Sequence, residues 1–162
     1  MISAPYLATA FDRNVHIIKM QSEGLVHEDS LIQLPFRANC LNWVVGHLVT
    51  NRNSVLKLLG GVDLIAPLSF ERYMRDSDPI TAESEGAIPL EILIQHLEQT
   101  QAAINQILAD ITDDELSRNV AFFGNTERTV GEWLLFFFFH DAYHTGQTEI
   151  LRQASGTDDK II

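Results

Sequence analysis

Two histidines one helical turn apart, His140 and His144, sit in the apolar run Trp133-Leu134-Leu135-Phe136-Phe137-Phe138-Phe139-His140-Asp141-Ala142-Tyr143-His144. A third, His47, lies in another apolar segment, Leu41-Asn42-Trp43-Val44-Val45-Gly46-His47-Leu48. A buried imidazole with an unmet ring nitrogen costs about 1–3 kcal/mol, so such positions need partners. A divalent metal ion would satisfy all three. Side chains four apart on a helix stand about 5–6 Å apart at their bases and can close on one ion at about 2.0–2.1 Å. Three protein ligands leave a coordination position open, which is the catalytic pattern rather than the structural one. Imidazole suits zinc and nickel about equally, so these are the expected ions. Each ion's charge would lower the pKa of a thiol or a water, favouring a thiolate or hydroxide nucleophile near neutral pH.

The elements that must position these residues read as four amphipathic helices. The first carries Leu7, Phe11, Asn14, Ile18 and Gln21 at 4-3-4-3 spacing, with Pro5 near its start and Gly24 at its end. The second is expected from about Asn39, a good N-cap residue, to Gly60-Gly61. Its stripe is Cys40, Val44, His47, Asn51, Val55 and Leu58. The third begins near Pro89 and carries Leu90, Leu93, Leu97, Thr100, Ile104, Ile107 and Ile111. The fourth runs from Thr129, which forms a capping-box pattern with Glu132, to near Gly156. Its stripe is Trp133, Phe137, His140, His144, Gln147 and Leu151, spread over about 80°. A short helical turn is expected around Asp113–Leu116. The expected fold is all-α, a four-helix bundle in one domain over residues 1–162. The long connection between helices two and three, Gly60 to Ile88, is acidic and turn-rich and is a candidate binding loop or lid.

Composition narrows the function classes. With 11 Lys and Arg against 22 Asp and Glu, the net charge of −11 opposes binding to nucleic acid or to anionic membranes. The longest apolar run is far shorter than the roughly 20 residues of a membrane span. Met1-Ile2-Ser3-Ala4-Pro5-Tyr6 has no basic region followed by an apolar one, and Cys40 is the single cysteine. No signal peptide is expected, and a reducing, cytoplasmic location is. The string His140–His144 differs from the zinc-protease motif His-Glu-x-x-His by Asp141, whose side chain is shorter, so a protease is not expected.

Together, Asn42-Trp43-Val44-Val45-Gly46-His47-Leu48 and His140-Asp141-Ala142-Tyr143-His144-Thr145-Gly146-Gln147, with Arg152 beyond, resemble the DinB-like (YfiT-like) metal-binding four-helix proteins. The resemblance implies an up-down-down-up bundle, often dimeric, with a divalent metal on His47, His140 and His144. It also implies a small-molecule substrate, with thiol-dependent S-transferases using low-molecular-weight thiols and maleylpyruvate isomerase-like enzymes among the known activities. A metal-dependent hydrolase and a non-catalytic, stress-associated metal-binding homodimer stand as alternatives. So does a metal-free bundle whose polar layer only sets helix register.

Other residues weigh less. Asn51 and Gln147, one turn beyond a histidine each, and Trp43 and Trp133 are candidate substrate-binding residues. Asp141 falls about 100° round its helix from His140 and reads as a surface or inter-helix group. Cys40 near a helix start could be a thiolate but reads first as a small buried hydrophobe. His16, His27 and His96 are expected in solvent. The Phe136–Phe139 run reads as a buried helix with one face available for a dimer contact.

Overall fold

A computed structural model describes residues 3–65, 67–82, 84–157 and 159. The chain is mostly helical. Its elements are α1 (Ala4–Ser22), α2 (His27–Ser30), α3 (Leu41–Leu58), a 3-10 helix (Pro67–Tyr73), α4 (Leu90–Asp110), α5 (Asp113–Ser117), β1 (Asn119–Phe123), β2 (Thr126–Thr129) and α6 (Val130–Ala154). The four long helices pack in a ring, with α1 and α3 each lying against both α4 and α6.

Local chemistry sets the helix ends. Proline opens α1, where its missing N–H is not needed, and Gly24 follows its end at φ 76°. At the start of α6, Thr129 Oγ1 accepts the Glu132 N–H while the Glu132 carboxylate accepts the Thr129 N–H at 2.8 Å. Such a cap contributes about 1 kcal/mol and fixes the entry of the helix that carries two of the histidines. The N-cap of α3 is Cys40 rather than Asn39.

Two core clusters fill the ring. One joins Val15 and Ile18 to the N-terminal halves of α3 and α4, with Leu151 of α6. The other joins Leu7 and Phe11 to Val55, Ile104 and Leu108, with Trp133, Leu134 and Phe137 of α6. Leu93, Leu97 and Ile104 are wholly buried, and each such side chain contributes about 1.5–3 kcal/mol.

The periodicity of the sequence contains no strands, yet β1 and β2 form an antiparallel hairpin between α5 and α6. Gly124 at φ 60° turns it, and Phe122 and Phe123 pack edge-on or tilted against Trp133, Phe136 and Phe137. The 60–88 connection is no loose excursion. Phe70, Tyr73 and Ile80 are buried in the first core cluster, so this segment is a wall of the molecule. No described helix is long and apolar enough to cross a membrane.

Candidate metal centre

The core-facing stripe of α6 is centred on Val130, Leu134, Phe137, Asp141, Thr145 and Thr148, rotated from the stripe read in the sequence, of which Trp133, Phe137 and Leu151 are buried as well. That rotation leaves His140 and His144 half-buried at its edge rather than in the dry core. From there they face His47, which α3 presents from the adjoining helix. The ligand atoms of the three imidazoles lie within 4.8 Å of one another. Ring centroids are 5.1 Å apart for His47 with each partner and 4.6 Å for the α6 pair.

Neighbours fix two of the rings. His47 donates from Nδ1 to the Tyr73 carbonyl at 2.7 Å, which leaves its Nε2 lone pair facing the cluster. Its ring stacks on Trp43 at 4.5 Å and 14°. His144 Nδ1 donates to the Gln147 side-chain oxygen at 2.7 Å, again turning the Nε2 lone pair outward. His140 is different. Its Nε2 stands 3.2 Å from that of His47, while its Nδ1 is buried with no partner. If Nε2 carries the proton, Nδ1 is an orphaned lone pair. If Nδ1 carries it, two lone pairs oppose each other at Nε2. Protein groups alone do not complete this set, although the Asn51 amide, 3.2 Å from His47 Nε2, approaches it.

Burial lowers the pKa of all three imidazoles, that of His140 to about 4 with His144 and His47 adding to the effect. For His47 the hydrogen bond to the Tyr73 carbonyl opposes the shift. All three are neutral at neutral pH, the state a metal ligand requires. A divalent ion therefore fits the donors on charge state and lone-pair direction, and on His140 Nε2 it would leave the Nδ1 N–H to be answered separately.

The trio opens onto a cavity of about 930 Å³. Trp43, Asn51 and Gln147 line it, as do Tyr143, Phe136 and, from the hairpin, Phe123. Trp133 does not. It is buried in the other core cluster, donates to the Val120 carbonyl and carries Arg128 over its ring. Cys40 is also away from the cavity, buried with its Sγ 3.3 Å from the Ile80 carbonyl. Burial pushes that thiol up, so it stays protonated. His16 is exposed, but His27 and His96 are half-buried, the latter edge-on to Phe70.

Three residues that hold the site were not singled out in the sequence. Gly46 leaves the space in which the Tyr73 ring lies, since a Cβ there would overlap it. Tyr73 in turn bonds Asn42 through its hydroxyl and His47 through its carbonyl. Arg52, wholly buried, pairs with Asp141 at 2.6 Å and ties α3 to α6 beside the ligands. Asp141 is thus an inter-helix group and not a surface one. Arg52 interrupts the apolar series Leu41, Val45, Leu48, Leu56 as Asp141 interrupts Val130, Leu134, Phe137. Opposite charges in two facing apolar stripes were the available signal.

A helical protein with three histidines converging from two helices defines a class. The DinB superfamily model matches residues 33–148, and the chain belongs to that superfamily. The structure is similar to a crystal structure of a conserved protein from Enterococcus faecalis. The TM-score is 0.73 at 16% identity, over 96% of this chain and 98% of that one, which is a likeness of fold. No curated protein matches the chain.

Proposed function

We propose that the protein is a divalent-metal-dependent enzyme of the DinB superfamily that transfers a small thiol to an electrophilic substrate. The observation that carries this reading is the set of three neutral imidazoles, their ligand atoms within 4.8 Å of one another, at the wall of a large, mostly apolar cavity. A divalent ion, zinc or nickel, held by His47, His140 and His144 would supply the positive charge that lowers a thiol's pKa. The protein's own part is orientation. The Tyr73 carbonyl and Gln147 aim His47 and His144, and Trp43 braces His47. Asn51 and Gln147 offer the uncharged polar contacts of the pocket, and its aromatic walls limit water. In the transfer the thiol loses its proton to solvent and its sulfur bonds to the electrophilic carbon. The leaving group departs with its electron pair.

The same reading includes an up-down-down-up bundle. In its support, each core cluster combines one half of α1 with the same half of α6 and the opposite halves of α3 and α4. It also includes a homodimer, supported by a stripe on α6 in which Leu135, Phe139, Tyr143 and Ile150 are exposed, Phe139 by 68%.

Elemental analysis of untagged protein tests the metal, with His47→Ala as control, and is followed by a screen of small thiols against 1-chloro-2,4-dinitrobenzene. About one metal per chain, lost in the control, and turnover restored by one equivalent of metal are expected. Turnover that survives metal depletion overturns the mechanism. A tightly held metal with no exchangeable position instead favours the non-catalytic dimer.

A further inference from the structure

We propose that the cavity takes an amphipathic carboxylate, its anionic end on Arg37 and its apolar body directed toward the three histidines. This rests on the reading of the cavity as a substrate site and names the class of molecule it accepts.

The chain carries 22 acidic residues against 11 basic ones, so most of its surface repels anions. The cavity wall inverts that balance. It includes Arg37 and Arg75 and not one Asp or Glu. Arg75 stands 3.6 Å from Asp76, with both side chains in solvent, and its charge is partly answered. Arg37 has no ion pair or side-chain hydrogen bond among the described residues, which makes it the primary anchor and Arg75 the secondary one. Arg37 follows Phe36, whose ring is exposed and also lines the cavity. An apolar ring beside an unpaired guanidinium suits a ligand with a greasy body and an anionic head.

The lining around the trio favours the same ligand. The remaining polar side chains around the trio, Thr50, Asn51, Ser54 and Gln147, are uncharged. Three neutral imidazoles leave the charge of a divalent ion uncompensated, so a loaded cavity carries positive charge at the trio as well as at the two arginines. A cationic ligand is repelled there. A neutral one gains nothing from the arginines.

The test compares ω-mercaptohexanoate with ω-mercaptohexanamide, two probes that differ at the head group alone. Binding is measured by calorimetry on cobalt-loaded and on metal-free protein, with the cobalt visible bands as a second readout. The wild type should prefer the carboxylate by about three- to tenfold at low salt, the range of a partly exposed charged contact. The preference should shrink at high salt. Arg37→Gln should remove most of the preference, and the Arg37→Gln/Arg75→Gln double variant all of it, with amide affinity and cobalt stoichiometry unchanged. Arg37→Lys should keep part of the preference, and Arg75→Gln should have the smaller effect. Equal affinities in the wild type overturn the proposal, as does absence of binding by either probe to either form. A preference that survives in the Arg37→Gln/Arg75→Gln double variant also overturns it, by placing the carboxylate on the metal. If cobalt fails to bind while metal-free protein keeps the preference, the metal reading falls and the anion site stands. If cobalt binds and no preference exists, the anion site falls and the metal reading stands.

Discussion

Helices α3 and α6 bring together two polar clusters, and the two are built to opposite ends. Arg52 and Asp141 form an ion pair at 2.6 Å in a dry core, with Arg52 also donating to Gln101 and to the Phe11 carbonyl and lying 5.4 Å from the Phe11 ring centre. Burial pushes the Asp141 carboxyl up to about 6, against the pull of Arg52. Beside them, His140 and His144 meet His47 with one buried nitrogen unanswered and a cavity in front. Both clusters interrupt apolar stripes. In one, the protein supplies an ion pair and two further acceptors and leaves the Arg52 Nε unanswered, and the result is a joint between helices. In the other, three neutral imidazoles converge at the wall of a cavity, where they could hold a metal ion.

The largest effect expected is therefore on stability and comes from the joint. Arg52→Met leaves the Asp141 carboxylate buried without its cation and should cost about 3–5 kcal/mol in chemical denaturation. The double change Arg52→Met/Asp141→Leu should recover most of that, because no charge remains to be answered. A loss under about 1 kcal/mol in the single variant would mean that water reaches the pair and the contrast between the clusters is false. Next comes a change in the site. His144→Ala should alter the stability of metal-free protein by less than about 1 kcal/mol yet weaken zinc binding about a hundredfold or more, since even supporting residues are worth 10–100-fold. Full zinc occupancy in that variant would remove His144 from the ligand set.

Helical periodicity foretold both the four long helices and the trio, because an imidazole in an apolar run is conspicuous. It puts the α6 histidines in the stripe centre because they share a helical face with Trp133 and Phe137, both of which are buried. The real face runs through Asp141 and Thr145, residues whose polarity hid their burial. The hairpin is not evident in the periodicity although Val120-Ala121-Phe122-Phe123 ends in a Gly-Asn turn; its strands are short, and only β1 alternates in burial while β2 does not. The role of Tyr73 was not legible at all. Its carbonyl holds His47 from 26 residues away along a turn-rich segment, and nothing periodic connects the two.

That long-range support gives the third prediction, a pair of glycine substitutions. Gly46→Ala puts a Cβ into the Tyr73 ring, while at Gly146 nothing lies within 4 Å. Helix propensity alone favours alanine at both by about 0.5–1 kcal/mol. At Gly146 that gain should appear in thermal denaturation. At Gly46 overpacking should outweigh it, for a net loss of about 1–3 kcal/mol, and zinc affinity should drop about tenfold as Tyr73 moves from His47. Normal zinc affinity in Gly46→Ala would show that the Tyr73 carbonyl does not orient the ligand.

The smallest effect separates the clusters by their response to protons. His140 titrates near 4 in the folded chain and near 6.5 when unfolded. Above pH 6.5 neither state is protonated and the full stability is present. As pH falls below 6.5 the unfolded chain takes up the proton first, so metal-free protein loses stability progressively down to about pH 4. Allowing for solvent at a half-buried ring, the loss through His140 at pH 5 is about 1 kcal/mol. Asp141 works the other way between pH 6 and 4, because its folded carboxyl is the more basic. That contribution is common to wild type and His140→Asn and cancels between them to first order. Denaturation of the two metal-free proteins at pH 7.5 and pH 5 should therefore show the wild type losing about 1 kcal/mol relative to the variant. A difference that does not change with pH would mean that His140 is fully solvated and needs no outside partner, which removes the distinction between the open cluster and the closed one.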